Sequence, residues 1–234
     1  MAAFRVFLTV VIAFGAVWAG ALPSARAQLE VDITKFNVEP IPIAIPTFEA
    51  TTQVPEMASQ TQETAANLAR VVIADLERSG LFRALPADSF IEQDPSPNRR
   101  PRFGDWRAIN AQGLVVGQVE FLRDGRLQIT FRLWDVFAQS QMAGVRFQTT
   151  PGNWRQIAHR IADAIYERLT GEQGYFDTRI VYIAEEGIAT ERRERLAVMD
   201  QDGANHEYLT DGDFLVLSPR FSPSAQEITF MSYE

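Results

Sequence analysis

Beyond Gly174 the sequence loses its helical periodicity, and this limits the fold more than any other feature. The runs TRIVYIAE, RLAVMD, HEYLT and EITFMSYE are short, rich in β-branched and aromatic residues, and separated by turn residues. Short strands at regular spacing, with turn signals between them, belong to sandwiches, barrels or propellers. Four strands in roughly 55 residues is the size of one propeller blade, for which about 40–50 residues is usual. One such sheet cannot bury both faces, and repeat architectures need about three units or more. Residues 175–234 are therefore expected to form the first blade of an incomplete propeller, in a chain truncated after it. Such a lone blade should expose Ile180, Tyr182, Val198 and Phe230, where a second blade would cover them.

The preceding residues read differently. In EPIPIAIPTF, Ile41, Ile43 and Ile45 alternate with prolines and polar or small residues. Alternation predicts a strand, and prolines that cannot donate to a ladder predict an edge strand or a strand entry. Ala65, Leu68, Ala69, Val72, Ile73 and Leu76 then fall at helical spacing, with Thr61 as a cap, Arg78 in the last turn and Gly80 past the end. SGLFRAL leads to a short strand, Pro86 to Pro101 is a loop, and GDWRAINAQG is a short helix ending at Gly113. LVVGQVEF is apolar enough for a central strand covered on both faces. Asp124-Gly125 marks a hairpin into RLQITFRLWDV, in which Leu127, Ile129, Phe131 and Leu133 share one face. AGVRFQTT adds a further strand. Trp154, Ile157, Ala158, Ile161, Ala162, Ile165 and Leu169 form the stripe of the strongest helix, capped by Thr150 or Asn153 and stopped by Gly171. Residues 35–174 thus read as an α/β domain, a mixed sheet with two main helices.

The first 27 residues carry one early charge, Arg5, an apolar stretch to about Ala21 and the pattern Ala25-Arg26-Ala27. This is the build of a secretory signal peptide cleaved between Ala27 and Gln28, with export to the periplasm as the expectation. Residues 28–34 follow as a mobile amino-terminal tail. Removing 1–27 takes away Arg5 and Arg26 and no acid, which moves the formal net charge from −8 to −10. An acidic chain is a poor ligand for nucleic acid, because phosphate binding needs a basic face. With no cysteine, disulfides, thiolate zinc sites and cysteine nucleophiles are excluded.

The acidic stretch MDQDGANHEYLT raises the question of a calcium loop. Taking Asp200 as its first ligand puts Asp202 at position 3 and Asp211 at position 12, but Ala204 at position 5 offers no ligand. The flanks are strand-like, so a turn between two strands is the reading that accounts for all of it. His159 sits beside the apolar stripe of the long helix and His206 in the turn, and neither belongs to a metal-spaced cluster. There is no Gly-x-Ser-x-Gly elbow and no phosphate loop. No metal, cofactor or catalytic residue is assigned.

Val198-Met199-Asp200-x-Asp202-Gly203-x-Asn205, Leu209-Thr210 and Ser222-Pro223 resemble the blade repeat of the TolB family. Phe221 stands where that repeat has Trp, and Ser224-Ala225 where it has Asp-Gly. Upstream, EPIPIAIPTF, VVIADLERSGLF, GLVVGQV and ERLTGEQGYFDTRIVYI occur in the order found in the family's amino-terminal domain. The resemblance implies a non-enzymatic periplasmic adaptor of the Tol-Pal system. Such an adaptor links inner-membrane TolA to the outer-membrane lipoprotein Pal, serving outer-membrane integrity and invagination during cell division. It places the TolA-binding tail on Gln28, Leu29, Glu30, Val31, Asp32 and Ile33, whose alternation suits addition as a strand to a partner sheet. The residues alone, without the resemblance, favour a frayed terminus. Pal contacts fall in later blades, so no residue here is assigned to Pal. The alternative is a propeller-bearing periplasmic hydrolase or peptidase whose catalytic part lies outside these residues. A carbohydrate-binding module has little support, since the aromatics show no platform spacing.

Overall fold

The computed structural model describes residues 39–188 and 192–233, all within one contact unit. The leader 1–27 and the tail 28–34, with Ala27 and Gln28–Ile33, lie outside the described residues. The amino-terminal half is built on a six-stranded mixed sheet. Its strands are β1 (Ile41–Ala44), β2 (Glu49–Thr52), β3 (Phe82–Ala84), β4 (Gly113–Phe121), β5 (Leu127–Asp135) and β6 (Ser140–Thr149). The order is β3-β1-β4-β5-β6, with β2 also paired to β4. β1 and β2 share one side of β4, both parallel to it, with β1 at its start and β2 at its end. β4–β5 and β5–β6 are antiparallel.

β1 is an interior strand and not an edge strand, and the strand-entry reading of its prolines is the one that fits. Ile41 N–H bonds to Leu81 and the Ile43 carbonyl accepts from Leu85, so the odd residues face β3. Pro42 faces the other side, where its carbonyl accepts from Gln112 N–H and the pairing with β4 begins only at Ile43. The missing N–H therefore falls where no ladder bond is due. β2, the sequence EATT, has no apolar alternation and is absent from the sequence expectation.

Two long helices, α1 (Ala58–Arg78) and α3 (Trp154–Thr170), pack on each other and on the sheet. On α1 the buried stripe is Ala65, Leu68, Ala69, Val72 and Leu76, joined by Val71 and Asp75, while Ile73 is only half-buried. Thr61 is not the cap: α1 starts earlier, and the Thr61 hydroxyl donates to the Met57 carbonyl inside the first turn. Neither Thr150 nor Asn153 caps α3 with its side chain; a 3-10 turn over Pro151–Asn153 leads into it instead. Gly80 (φ +74°) and Gly171 (φ +80°) end the helices as expected, in a conformation glycine adopts at low cost. The short helix α2 (Phe103–Ala108) ends at Asn110 (φ 59°), not at Gly113, which opens β4. Phe103 and Trp106 of α2 close a second core with Phe90, Leu114, Val116 and Trp134.

After α3 come β7 (Arg179–Glu186), β8 (Arg193–Asp200), β9 (Glu207–Tyr208), β10 (Leu215–Phe221) and β11 (Ile228–Tyr233). These strands resemble propeller-blade strands, but they number five rather than four and divide between two sheets, β7-β8-β9 and β10-β11. The additional strand β10 contains Pro219, tolerated because the β10–β11 register shifts between Leu217 and Arg220 with Ser218 at φ 53°. Ile180 and Phe230 are exposed, as expected, and Tyr182 is half-buried. Val198 is not exposed: it lies on β8 between β7 and β9 and is buried.

Candidate functional site

α3 carries Arg155, His159 and Asp163 at successive intervals of four, which places them on one helix face. That face meets Asp75 of α1 and the turn between β8 and β9. The turn is local and tight. Asp200 N–H donates to the Ala204 carbonyl at 2.9 Å, and Gly203 N–H to the Asp200 carbonyl at 2.9 Å. Gly203 and Asn205 take positive φ, 85° and 51°, conformations that glycine and asparagine tolerate best. The turn expectation for Asp200, Asp202 and Gly203 thus holds for the backbone, while the side chains do more than close a turn.

Asp202 Oδ1 accepts from Ala204 N–H at 3.0 Å, and Asp202 Oδ2 pairs with the Arg155 guanidinium. Asp200 Oδ2 accepts from the Asn205 amide at 2.6 Å and lies 3.9 Å from Arg155 Nε. Between them Gln201 reaches across: its amide donates to Asp75 Oδ1 at 3.3 Å, and its N–H to the Thr178 carbonyl. Asp75 is fully buried and is held from three directions, by Gln201, by Arg78 at 3.1 Å, and by His159 Nδ1–H donating to Oδ2 at 2.6 Å. His159 is itself 2 % exposed, not the boundary residue its sequence position suggests. Its other nitrogen, Nε2, has no partner within hydrogen-bond distance and stands 3.9 Å from a carboxylate oxygen of both Asp200 and Asp202.

Asp163 continues this face toward the connection into β7. Its carboxylate accepts from Phe176 N–H at 2.6 Å and Asp177 N–H at 3.1 Å. Phe176 is fully buried against Tyr166, and Gly174 passes so close that a Cβ there would sit 2.5 Å from the Asp163 Cα. Burial raises the Asp163 pKa, against the two backbone hydrogen bonds that favour its charged form. For Asp202, burial pushes upward too, but Ala204 N–H, Arg155 and His159 outweigh it and the pKa falls below the usual carboxylate range.

An open cleft of about 700 Å³ runs beside this network, lined among others by Arg155, His159, Asp177, Asp200, Glu207 and Phe221. Asp75, His159 and Asp202 bring one ligand-type atom each within 4.8 Å of one another. Their carboxylates are already engaged by Arg78, Gln201, Arg155 and a backbone N–H, which is the setting of an ion-pair network and not of a metal. The Asp75–His159 pair has the form of a base and its orienting acid, yet the free nitrogen faces carboxylates where acyl chemistry would need a hydroxyl. His206 is exposed and packs edge-on against Tyr208.

Two family models cover most of the chain. Residues 29–142 match the TolB amino-terminal domain, and residues 166–234 match the TolB beta propeller domain. A Tol-Pal system protein TolB from Paramagnetospirillum magneticum is 50% identical over 233 residues, 100% of this chain and 49% of that protein. The chain belongs to the TolB family. The crystal structure of TolB from Acinetobacter baumannii superposes with a TM-score of 0.67 at 26% identity, over 82% of this chain and 44% of that one. The chain thus spans about half the length of the TolB relatives it matches. Arg155, His159 and Asp163 fall between the two matched ranges, so the face that joins the TolB amino-terminal and propeller parts belongs to neither model.

Sequence reasoning missed the roles of Asp75, Arg155 and Asp163. The signals were present. Asp75 occupies an apolar-stripe position between Val72 and Leu76, and the three α3 residues keep four-residue spacing. Which element they face could not be read from spacing alone.

Proposed function

We propose that these residues are the amino-terminal part of a non-enzymatic periplasmic adaptor of the Tol-Pal system. In this reading the protein links TolA at the inner membrane to Pal at the outer membrane, in support of outer-membrane integrity and of invagination during division. The observation that carries it is the 50% identity with a Tol-Pal system protein TolB over the whole chain. The leader over 1–27 supports export, and no helix among the described residues is long and apolar enough to cross a membrane. The division proposed is a cleaved leader at 1–27, a TolA-binding tail at 28–34, an α/β domain at 35–174 and propeller strands from 175. Within the tail, Glu30-Val31-Asp32-Ile33 alternates and is suited to pair with a partner strand.

A cell test follows from this. A strain lacking the gene should leak periplasmic marker enzyme and become detergent-sensitive. The full-length gene should restore the barrier, while a version lacking Gln28–Ile33 should be exported yet fail to restore it. Full rescue by the tail-less version would remove the tail assignment. An intact barrier in the deletion strain would remove the adaptor reading.

A further inference from the structure

With a neutral ring, the buried Nε2 of His159 would face no donor among the described protein groups. Nδ1 carries a proton, because it is 2.6 Å from a carboxylate oxygen of Asp75. A neutral ring would then turn the Nε2 lone pair toward the carboxylates of Asp200 and Asp202, each 3.9 Å away. Two negative groups facing a lone pair at this distance repel it. We propose that His159 is held as a doubly protonated imidazolium bridging Asp75 of α1 to Asp200 and Asp202 of the β8–β9 turn, so that proton loss loosens the turn from the helices.

The charges on every element packed against the ring favour this state. α1 contributes Asp75 and Arg78, the turn Asp200 and Asp202, and α3 itself Arg155, with Asp163 one turn further on. Asp177, Arg179 and Glu207 line the adjoining cleft. Around the ring, Asp75, Asp200 and Asp202 are matched by Arg78, Arg155 and one proton on His159. A divalent cation beside a neutral ring would leave one positive charge in excess while Arg155 stays paired with Asp202. Burial disfavours the charged ring, but the hydrogen bond to Asp75 and the charges of Asp75, Asp202 and Asp200 outweigh it and raise the His159 pKa.

The pH window has two sides. A raised folded pKa gives stability that is fully present below the unfolded value, about 6.5, and is lost as pH rises through the folded value. The lowered Asp202 pKa acts in the opposite sense: its contribution is present above the ordinary carboxylate range and is lost as pH falls through the folded value. The turn should therefore be seated most firmly in mildly acidic to neutral solution.

The direct test uses full-length protein with ¹⁵N-labelled histidine, the His159 signals being assigned with His159→Gln. Ring-nitrogen shifts are followed from pH 5 to pH 9. Both His159 nitrogens should be protonated at pH 6, with a titration midpoint above about 6.5. An unprotonated Nε2 at pH 6, or a midpoint at or below the free value, would overturn the proposal. So would a change on adding Zn²⁺ that a chelator reverses, since the ring would then be a metal ligand. As a second readout, the melting-temperature gap between wild type and His159→Gln should be largest near pH 6 and shrink toward pH 9. A gap that does not change with pH would sink the coupling between proton and seating.

Discussion

Asp202 and Arg155 show how far one turn residue can act from its own turn. A surface Asp-Gly turn needs only local hydrogen bonds, but the Asp202 side chain is just 4% exposed and is paired with an arginine on α3. Breaking a buried pair by removing one partner strands the other charge, at about 3–5 kcal/mol. Asp202→Ala is expected near the lower end, about 3 kcal/mol, because the Arg155 side chain keeps some water contact. Urea denaturation of the full-length protein measures this, and a double-mutant cycle with Arg155→Ala should show coupling of about 0.5–3 kcal/mol. Arg126→Ala is the contrast. Its pair with Asp124 has good geometry but sits half in water on a hairpin, and its removal should leave stability unchanged within error. The sequence displays both acids beside glycines, Asp202-Gly203 and Asp124-Gly125. Only the helix packed against the first one distinguishes them.

At the scale of elements, the strongly periodic pieces were legible and the short or conflicted ones were not. The β4–β5 hairpin follows from Asp124-Gly125 and clean alternation, and Gly125 takes φ +83° as that turn requires. β2 escaped because four residues of EATT carry no apolar signal, and β1 could not be decided between edge strand and strand entry because the direction in which Pro42 faces cannot be read from its presence. α1 and α3 were legible from their stripes, and α3 also from its start after Asn153, but the start of α1 was not, because no side chain caps it. Two glycines mark where elements touch most closely. A Cβ at Gly117 would come 2.2 Å from the Phe48 ring, and one at Gly174 would meet the Asp163 side chain and backbone. Overpacking of this kind costs typically about 1–3 kcal/mol. Gly117→Ala and Gly174→Ala should each lower the melting temperature. Gly174→Ala should cost more, because it meets backbone that cannot rotate away, whereas the Phe48 ring can shift. Scanning calorimetry of the two variants checks the order.

At the scale of the molecule, the two carboxy-terminal sheets leave apolar side chains in water. Leu215, Phe221, Phe230, Met231 and Tyr233 are exposed on β10 and β11. The chain covers 49% of the Paramagnetospirillum protein, so about as much again of that relative lies outside the matched region. Further propeller strands from that remainder are expected to cover this surface. Amides of β10 and β11 should exchange quickly in a protein limited to these 234 residues and slowly in the full-length protein. Equal, strong protection in both would mean that the two-stranded sheet needs no neighbour. The TolA end of the adaptor reading falls on a segment of plain composition, Gln28 to Ile33, and it is decided by binding. In a calorimetric titration of full-length protein with the carboxy-terminal domain of TolA, the intact protein should bind and a version lacking Gln28–Ile33 should not. Equal affinity with and without the tail, or no heat from the intact protein, would contradict the account.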